Sequence, residues 1–299
     1  MSPPLPVIIN AHSNSGSDQV DAVRDALAAA GVEARLLVVD DPQRLDATIE
    51  EALSAGPACI VAAGGDGTIN AVAAHAIRAG VPLAVLPAGT LNHFARDLKL
   101  PTALDEAAAV IARGHVREVD VGEVNGNLFL NNSSLGLYAS MVDRRERLQA
   151  RHGINKWLAL LHASLSVLRH PHTFSTVINA DGQALRRRTP FVFVGNNDYT
   201  VQGPHAGARS TLDDGMLSAY VLRPYGAWGL IGLAVRALFG RMVDGRDLDE
   251  IHATEIVVES HHGKTRVARD GEVEMTDTPV CFRVRPRALR VIAPEPGDA

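Results

Sequence analysis

The sequence predicts a two-domain protein, with a doubly wound α/β domain at the N-terminus and a β-sandwich domain after it. Short apolar runs alternate with helical patterns in the first third, whereas beyond Asp120 the apolar runs are separated by turn pairs. Alternating strands and helices predict a parallel sheet covered on both faces, and turn-separated strands predict antiparallel pairing. At 299 residues the chain also exceeds the usual size of a single core.

The elements of the first domain follow from the spacing of its apolar residues. Between the apolar runs, apolar residues recur at helical spacing up to a glycine, which can adopt the left-handed conformation that ends a helix. Strands are expected at residues 7–10, 36–39, 59–63 and 83–86, with the helices between them ending at Gly31, Gly56 and Gly80. The carboxyl ends of parallel strands meet at one edge of a sheet, so a ligand is expected at the polar turns there. These turns are residues 10–16, 64–68 and 87–92.

The turn Gly64-Gly65-Asp66-Gly67-Thr68 joins the third strand to its helix. Glycines let backbone N–H groups approach an anion, and the helix N-terminus favours negative charge. Asp66 would repel a phosphate unless a divalent cation lies between them, so the pattern predicts a nucleotide phosphate with Mg²⁺. The alternative is a glycine-rich turn in which Asp66 is a helix N-cap.

The second domain is predicted from short strands and from two apolar helices. The helices, at residues 157–168 and 228–239, are either core elements or the walls of a pocket for a long apolar substrate, or they touch a membrane surface. Basic clusters at 144–151 and 186–188 are either solvated faces or contacts for anionic headgroups. The strands are expected at residues 128–130, 175–180, 191–194, 217–222, 255–258 and 281–284.

Composition excludes several classes of function. A net charge of −5 argues against a nucleic-acid surface, which requires a basic stripe. The two cysteines, Cys59 and Cys281, lie in separate apolar runs and indicate a reducing compartment. The N-terminus lacks the pattern of a signal peptide, and a cytoplasmic protein is expected.

Other chemical signatures are incomplete. Gly263-Lys264-Thr265 ends like a Walker A motif, but Val258 stands where its first glycine is required. The glycine turn is one residue short of a dinucleotide fingerprint. No histidine pair has the spacing H-E-x-x-H, and no serine has the glycines of a nucleophile elbow.

Several motifs together resemble the soluble diacylglycerol kinase family of bacterial lipid kinases. They occur in the family's order over nearly the whole chain. The glycine–aspartate turn alone is shared with NAD kinases and phosphofructokinases, whereas its combination with the later motifs is specific. The motifs are Asn10 with Ser15-Gly16, the turn at 64–68, Gly89-Thr90-Leu91-Asn92-His93-Phe94-Ala95-Arg96, Asp214-Gly215-Met216-Leu217 and Asp270-Gly271-Glu272.

The resemblance implies a fold and an activity. Residues 1–121 plus 287–299 would form the nucleotide-binding domain, residues 122–286 the lipid-binding β-sandwich, and residues 289–292 a last strand that returns to the first domain. The activity would be transfer of the γ-phosphoryl group of ATP to the hydroxyl of diacylglycerol or a similar membrane lipid, at the inner membrane face. Partners would be this lipid and, transiently, the membrane surface, and the oligomeric state is left open between monomer and homodimer.

The resemblance also assigns roles to single residues. Glu272 would come from the second domain to face the cleft and take the proton of the attacking hydroxyl, with Asp66 and Asp270 as further catalytic residues; the alternative for Glu272 is an exposed hairpin carboxylate. Asp66 would hold Mg²⁺. A second, structural Mg²⁺ would bind Asp214 and the carbonyls of Leu212 and Met216, unless Asp214 only forms a turn. Binding of ATP would use Asn10, Ser15, Gly16, Gly64, Gly65, Gly67, Thr68, Gly89, Thr90 and Asn92.

One position departs from the family pattern. Many relatives have an acidic residue where this chain has His93, and histidine is a poor Mg²⁺ ligand beside oxygen donors. The metal would then depend on Asp66 and water, or on Asp97 one turn later. Two alternatives remain, a kinase of a soluble dinucleotide like NAD kinase and a non-catalytic sensor of nucleotide or lipid.

Overall fold

The computed structural model describes residues 3–10, 16–136, 173–200, 207–226, 247–260 and 263–295, together with 229, 230, 232, 233 and 236. The chain divides into two compact units. Unit 1 comprises Met1–Val121 and Pro286–Ala299, and unit 2 is Gly122–Arg285. The boundary expected before residue 287 thus lies one residue from the observed one.

Unit 1 is built from alternating strands and helices. Its elements are β1 (Leu5–Asn10), α1 (Gly16–Ala29), β2 (Ala34–Val39), a 3-10 helix (Pro42–Arg44), α2 (Leu45–Ser54), β3 (Ile60–Gly64), α3 (Asp66–Ala79), β4 (Leu83–Pro87), α4 (His93–Asp97), α5 (Leu104–Arg113) and β5 (Val116–Val124), whose last residues enter unit 2.

The sheet of unit 1 is parallel, as the sequence predicts. Its order is β2-β1-β3-β4, and the strand β16 (Val280–Ile292) follows β4 through the pair Val291 and Leu83. β3 and β4 are buried along their whole length. The helices pack in two pairs, α1 with α5 and α2 with α3, as expected when helices cover both faces of a sheet. The doubly wound prediction is therefore confirmed.

Unit 2 is antiparallel. Its other strands are β6 (Asn127–Phe129), β7 (Asn132–Gly136), β8 (Phe174–Ala180), β9 (Gln183–Thr189), β10 (Phe191–Asn196), β11 (Leu217–Leu222), β12 (Leu248–Ala253), β13 (Glu255–Ser260), β14 (Lys264–Arg269) and β15 (Glu272–Asp277). One sheet has the order β12-β11-β10-β7-β14-β15, and the other contains the start of β16 followed by β13, β8 and β9.

The two sheets of unit 2 enclose an apolar core. Both contribute fully buried side chains, including Leu135 and Val194 from the first sheet and Ile178, Ile256 and Phe282 from the second. Burial of such side chains is the main favourable term in folding. The predicted β-sandwich is therefore confirmed.

The sequence prediction misses β5, β7, β9, β12, β14 and β15, of which β9 and β15 are strongly charged. β9 carries Arg186, Arg187 and Arg188, and β15 alternates acidic residues with apolar ones. Among the described residues, both strands lie at the end of their sheet. End strands are commonly rich in charge, because an exposed apolar edge invites pairing with other chains. The absence of an apolar run therefore does not argue against a strand at such a position.

Two predicted helices cannot be compared with the structure. Residues 157–168 lie outside the described residues, and so does most of 228–239. The basic cluster at 144–151 lies outside them as well. Within the described part of the chain, every helix is too short or too polar to span a bilayer.

An ion triad joins the end strand β9 to the other sheet of unit 2. The carboxylate of Asp249 on β12 accepts from Arg187 Nε at 2.7 Å and from Arg223 Nη2 at 3.0 Å. The hydrogen bond from Arg187 is the largest cause that holds the pKa of Asp249 below its ordinary value. This carboxylate therefore stabilises the folded protein only while it is ionised.

We predict that Asp249→Asn lowers the free energy of unfolding at pH 7 by roughly 0.5–1 kcal/mol, the upper range for a partly exposed pair. Because the folded-state pKa is depressed, the contribution is present above the unfolded pKa of about 3.9 and is lost as the pH falls through the folded value. Urea unfolding from pH 7 to pH 2 should show the two curves converging at low pH. Asp277→Asn is the control, since Asp277 is exposed and 3.9 Å from Lys264; a constant gap across the pH range would contradict the prediction.

Candidate active site

Two glycine turns of unit 1 meet at the carboxyl ends of β3 and β4. Gly65 is the N-cap of α3, in an extended conformation with φ −89° and ψ −178°. A Cβ atom on Gly89 would lie 2.3 Å from Gly65 Cα and 3.0 Å from Gly65 N. No real Cβ fits at these distances, so the backbones approach as closely as they do because residue 89 is glycine.

Asn92 fixes the second turn. It has the left-handed φ of 50°, which asparagine tolerates better than most residues. Its Oδ1 accepts from the N–H of Gly89 at 3.0 Å, and its Nδ2 donates to the carbonyl of Gly89 at 2.9 Å. The side chain thereby bonds both polar groups of the glycine that contacts Gly65, which is the turn-fixing contact expected from the sequence.

Asp66 links the two turns. It is the first residue of α3, and its Oδ1 accepts from the N–H of Phe94 in α4 at 3.3 Å, a long hydrogen bond. The carboxylate is half-buried. Its position agrees with the sequence-based expectation of a carboxylate beside the glycines.

The start of α3 can bind an anion. The first backbone N–H groups of a helix have no partner within the helix, and they carry partial positive charge. Gly67 is exposed in this first turn. Thr68 is buried, and its Oγ1 would lie 2.9 Å from a Cβ on Gly64, so Gly64 leaves room for the threonine. The arrangement supplies N–H donors, a hydroxyl and a carboxylate within one helical turn.

The remaining predicted ligands of unit 1 lie at the same edge of the sheet or outside the described residues. Asn10 ends β1, next to β3, with which β1 pairs through Ile9 and Ala63. Thr90 is exposed in the second turn. Gly16 begins α1, and Ser15 lies outside the described residues.

The structure places His93 and Asp97 at opposite ends of α4. His93 is exposed at its first residue, and Asp97 is half-buried at its last. Among the described residues, Asp66 is in no group of three metal-ligating side chains whose ligand atoms lie within 4.8 Å of one another. Asp97 therefore does not form such a group with Asp66 and His93 in the described geometry.

In unit 2, the turn between β14 and β15 carries Asp270 and Gly271, both with positive φ, of 46° and 92°. Asp270 Oδ2 accepts from the N–H of Leu130 at 2.8 Å, and Oδ1 accepts from those of Asn131 and Asn132 at 2.9 and 3.0 Å. Burial raises the pKa of the Asp270 carboxyl above its ordinary value, and these donors oppose the rise. The sequence placed Asp270 among the catalytic residues, but both of its oxygens hold the backbone, which gives it a structural role.

Glu272 follows this turn as the first residue of β15 and is exposed. In the hairpin it lies opposite Arg269, whose Nη1 donates to the carbonyl of Leu128 at 2.8 Å. An exposed carboxylate on an anchored turn can accept a proton from a ligand. The contacts of Asp270 thus explain why the residues before Glu272 are fixed although Glu272 itself is exposed.

Sequence reasoning missed one buried residue of this region, Arg209. Its guanidinium donates to the carbonyl of Leu130 at 2.7 Å and to Asn131 Oδ1 at 3.0 Å. No local pattern identifies it, because it is a single arginine between small residues. Only the long-range contacts reveal its position.

At the predicted second metal site, two of the three predicted ligands, Asp214 and the carbonyl of Met216, already accept hydrogen bonds from the protein. Asp214 accepts from Asn197 Nδ2 through Oδ1 and from Thr211 Oγ1 through Oδ2, the latter at 2.9 Å. The carbonyl of Met216 accepts from the N–H of Asn197 at 3.0 Å, and Leu212 is buried. Each oxygen of the Asp214 carboxylate thus accepts one hydrogen bond from the protein, and the metal site stays a prediction.

Another group in unit 2 has side chains of metal-ligand type. Asp198, Glu250 and His252 bring one ligand atom each within 4.8 Å of the others. His252 Nε2 lies 3.2 Å from Glu250 Oε1, and Asp198 Oδ1 accepts from Tyr220 Oη at 3.0 Å. Desolvation is the largest cause that raises the pKa of Tyr220. Sequence reasoning did not identify this group, because Asp198 precedes Glu250 and His252 by about 50 residues along the chain.

Both parts of the chain match known family models. Residues 4–124 match the diacylglycerol kinase catalytic domain, and residues 133–293 match the YegS C-terminal NAD kinase beta sandwich-like domain. The matched segments together contain the glycine turns of unit 1 and the hairpin of unit 2.

Individual relatives agree with these matches. An uncharacterized protein of Synechocystis sp. is 27% identical over 258 residues, which are 84% of this chain and 58% of that protein, so the chain spans less than two thirds of this relative. The "Probable lipid kinase YegS-like" protein of Pseudomonas aeruginosa is 31% identical over 94% of this chain and 91% of its own length. A solved structure described as a "putative diacylglycerol kinase from Bacillus anthracis str. Sterne" superposes with a TM-score of 0.76 at 25% identity, over 98% of this chain and 95% of its own.

We predict that Gly89→Ala lowers the free energy of unfolding by about 1–3 kcal/mol, the usual cost of overpacking, because the new Cβ would overlap Gly65 Cα. Gly65→Ala is the matched control, since its Cβ would meet Gly89 Cα at 3.5 Å, an ordinary contact. Thermal and urea unfolding of both variants would measure the difference. Equal stability of the two variants would show that the turns do not depend on this close approach.

Proposed function

Because this chain belongs to the family of lipid kinases that contain a diacylglycerol kinase catalytic domain, we propose that it transfers the γ-phosphoryl group of ATP to the hydroxyl group of diacylglycerol or a related membrane lipid. The observation that carries the proposal is the Asp66 carboxylate at the first turn of α3, beside two glycine turns in contact. Phosphoryl transfer depends mainly on alignment and charge neutralisation, which such an arrangement can provide.

The nucleotide would bind to unit 1 through its phosphates. The contact of Gly65 with Gly89 leaves backbone close to any anion at the start of α3, without Cβ atoms in the way. The hydroxyl groups of Thr68 and Thr90 add short polar donors. We assign phosphate binding to Asn10, Ser15, Gly16, Gly64, Gly65, Gly67, Thr68, Gly89, Thr90 and Asn92.

Asp66 fits a magnesium ion. Mg²⁺ prefers oxygen ligands, usually one or two carboxylates with substrate phosphates and water. Among the described residues, the Asp66 carboxylate accepts one hydrogen bond, the long one from the N–H of Phe94 to Oδ1, so it retains acceptor capacity. A bound Mg²⁺ would neutralise charge on the phosphate oxygens. His93 lies next to Phe94 and is not part of this assignment.

On the acceptor side, we assign Glu272 as the general base that takes the proton of the lipid hydroxyl. A carboxylate is a competent base once the hydroxyl lies within hydrogen-bonding distance. Its support is the fixed turn before it, in which Asp270 bonds three backbone N–H groups. We assign Asp270 to holding this turn.

A lipid acceptor implies that the protein acts at a membrane surface. A diacyl lipid remains in the bilayer, so the protein would touch the inner face of the membrane transiently. Exposed arginines of β9, Arg186 and Arg188, offer charge for anionic headgroups. Apolar acyl chains differ little in how they contact a pocket, so we state the substrate as a class of lipid.

A second candidate is phosphorylation of a soluble dinucleotide. It is favoured by the match of residues 133–293 to a domain described as NAD kinase beta sandwich-like. A panel containing diacylglycerol in mixed micelles and NAD in solution distinguishes the two acceptors. Transfer of labelled phosphate to NAD alone would contradict the lipid kinase proposal and support this second candidate. Binding of ATP without transfer to diacylglycerol or NAD would indicate a sensor.

We predict that Asp66→Asn abolishes Mg²⁺-dependent binding of ATP, because the carboxylate that would bridge to the metal is lost. Isothermal titration calorimetry with and without Mg²⁺ measures this. Asp105→Asn is the matched control, since Asp105 is also an aspartate in the first turn of a helix of unit 1 and is exposed. Binding retained in Asp66→Asn would remove the metal assignment.

We predict that Glu272→Gln lowers kcat by roughly 10²–10⁴-fold, the range expected for loss of a general base, and leaves the affinity for ATP unchanged. Transfer of labelled phosphate to diacylglycerol measures the rate. Glu274→Gln, two residues along the same strand, is the control and should keep at least half of the activity. A similar fall in both variants would show that charge on β15, rather than a base at Glu272, is required.

A further inference from the structure

Arg209 is buried and bound to the backbone of unit 2. Its side chain is 7% exposed, and Nη1 donates to the carbonyls of Leu130 at 2.7 Å and Asn196 at 3.3 Å. Nη2 donates to Asn131 Oδ1 at 3.0 Å. Removing a guanidinium from water is costly unless its donors are satisfied, so these contacts make the arginine's position specific.

Asp270 binds the same segment, residues 130–131, through the backbone N–H groups of these residues. The N–H of Leu130 donates to Asp270, and the carbonyl of Leu130 accepts from Arg209. Asn131 likewise offers its N–H to Asp270 and its side-chain oxygen to Arg209. An anionic and a cationic side chain therefore bind residues 130–131 together, and each orients the peptide groups that the other uses.

Arg209 also acts on Asp270 through its charge. Burial raises the pKa of the Asp270 carboxyl, and the positive charge of Arg209 is among the causes that lower it. The ionised carboxylate is a pure acceptor, whereas the protonated carboxyl adds an O–H donor, so the ionised form suits a site with three N–H donors better. Arg209 thus favours the form of Asp270 that anchors the turn.

The anchored turn determines the backbone position of Glu272. The backbone N–H of Asp270 donates to the carbonyl of Asn132 at 2.9 Å, and Asp270 adopts a positive φ of 46°. Glu272 is two residues further and exposed, so its backbone position depends on this turn. A shift of the turn would move the carboxylate.

We propose that Arg209 is a positioning residue for Glu272, because it holds residues 130–131 against the carboxylate of Asp270. The inference rests on the proposed function, since the position of Glu272 matters for catalysis only if Glu272 is the base. Arg209 itself is not placed in contact with a substrate.

The test uses Arg209→Gln and Arg209→Lys in the full-length protein, with ATP and diacylglycerol in mixed micelles. Arg209→Gln should lower kcat by roughly 10- to 100-fold, as for a misplaced catalytic group, with the KM for ATP unchanged. The pKa of Asp270 should rise without the charge, so the acid limb of the kcat profile should move to higher pH. Arg209→Lys should keep the limb near that of the wild type and restore part of kcat, because lysine keeps the charge but lacks the planar fork.

The control is Arg187→Gln, which removes another hydrogen-bonded arginine of unit 2, the partner of Asp249. It should lower stability without moving the acid limb. If Arg209→Gln leaves the acid limb in place, or lowers kcat only as much as Arg187→Gln does at equal loss of melting temperature, the positioning role is wrong.

Amide hydrogen exchange separates this inference from the proposed function. If the wild type transfers no phosphate to any lipid, the proposed function fails. The amides of Asn131, Asn132 and Asp270 should still exchange at least tenfold faster in Arg209→Gln than in Arg187→Gln. Without Arg209 this segment would open locally more often than the whole protein unfolds. Unchanged protection of these amides would overturn the holding role of Arg209 independently of any activity.

Discussion

The approach of two glycine turns is the constraint on which unit 1 depends. β3 and β4 pair in parallel up to Gly64 and Pro87, and the N–H of Ala88 donates to the carbonyl of Gly64 at 3.2 Å. This pairing brings Gly65 and Gly89 so close that a side chain on residue 89 is excluded. The start of α3, the Asp66 carboxylate and the turn fixed by Asn92 are all set by this one contact.

Much of this region could be predicted because its signals are local. A short apolar run, a glycine pair and a helical pattern occur within one stretch of sequence, and the topology of parallel sheets places such stretches at one edge. The turn-fixing contact of Asn92 spans three residues, so it also lies within reach of sequence reasoning. The helix α4 was not predicted, because five residues provide too little periodicity.

The contacts of unit 2 could not be predicted in the same way, because they join distant parts of the chain. Arg209 is 79 residues from Leu130, and Asp270 is 140 residues from it. The sequence shows Asp270 only as part of a turn next to Glu272, and its catalytic role was an implication of the family resemblance. The hydrogen bonds of Asp270 show that the two acidic residues of this turn differ. The Asp270 carboxylate binds the protein backbone, and the Glu272 carboxylate is exposed.

The three consecutive arginines of β9 have a consequence for self-association. Among the described residues, β9 ends its sheet and has Arg186 and Arg188 exposed. Two copies that tried to continue the sheet through this strand would bring guanidinium groups of like charge side by side, and such pairs are unfavourable. Fibre growth by strand addition is thus opposed at β9 even when the protein is crowded.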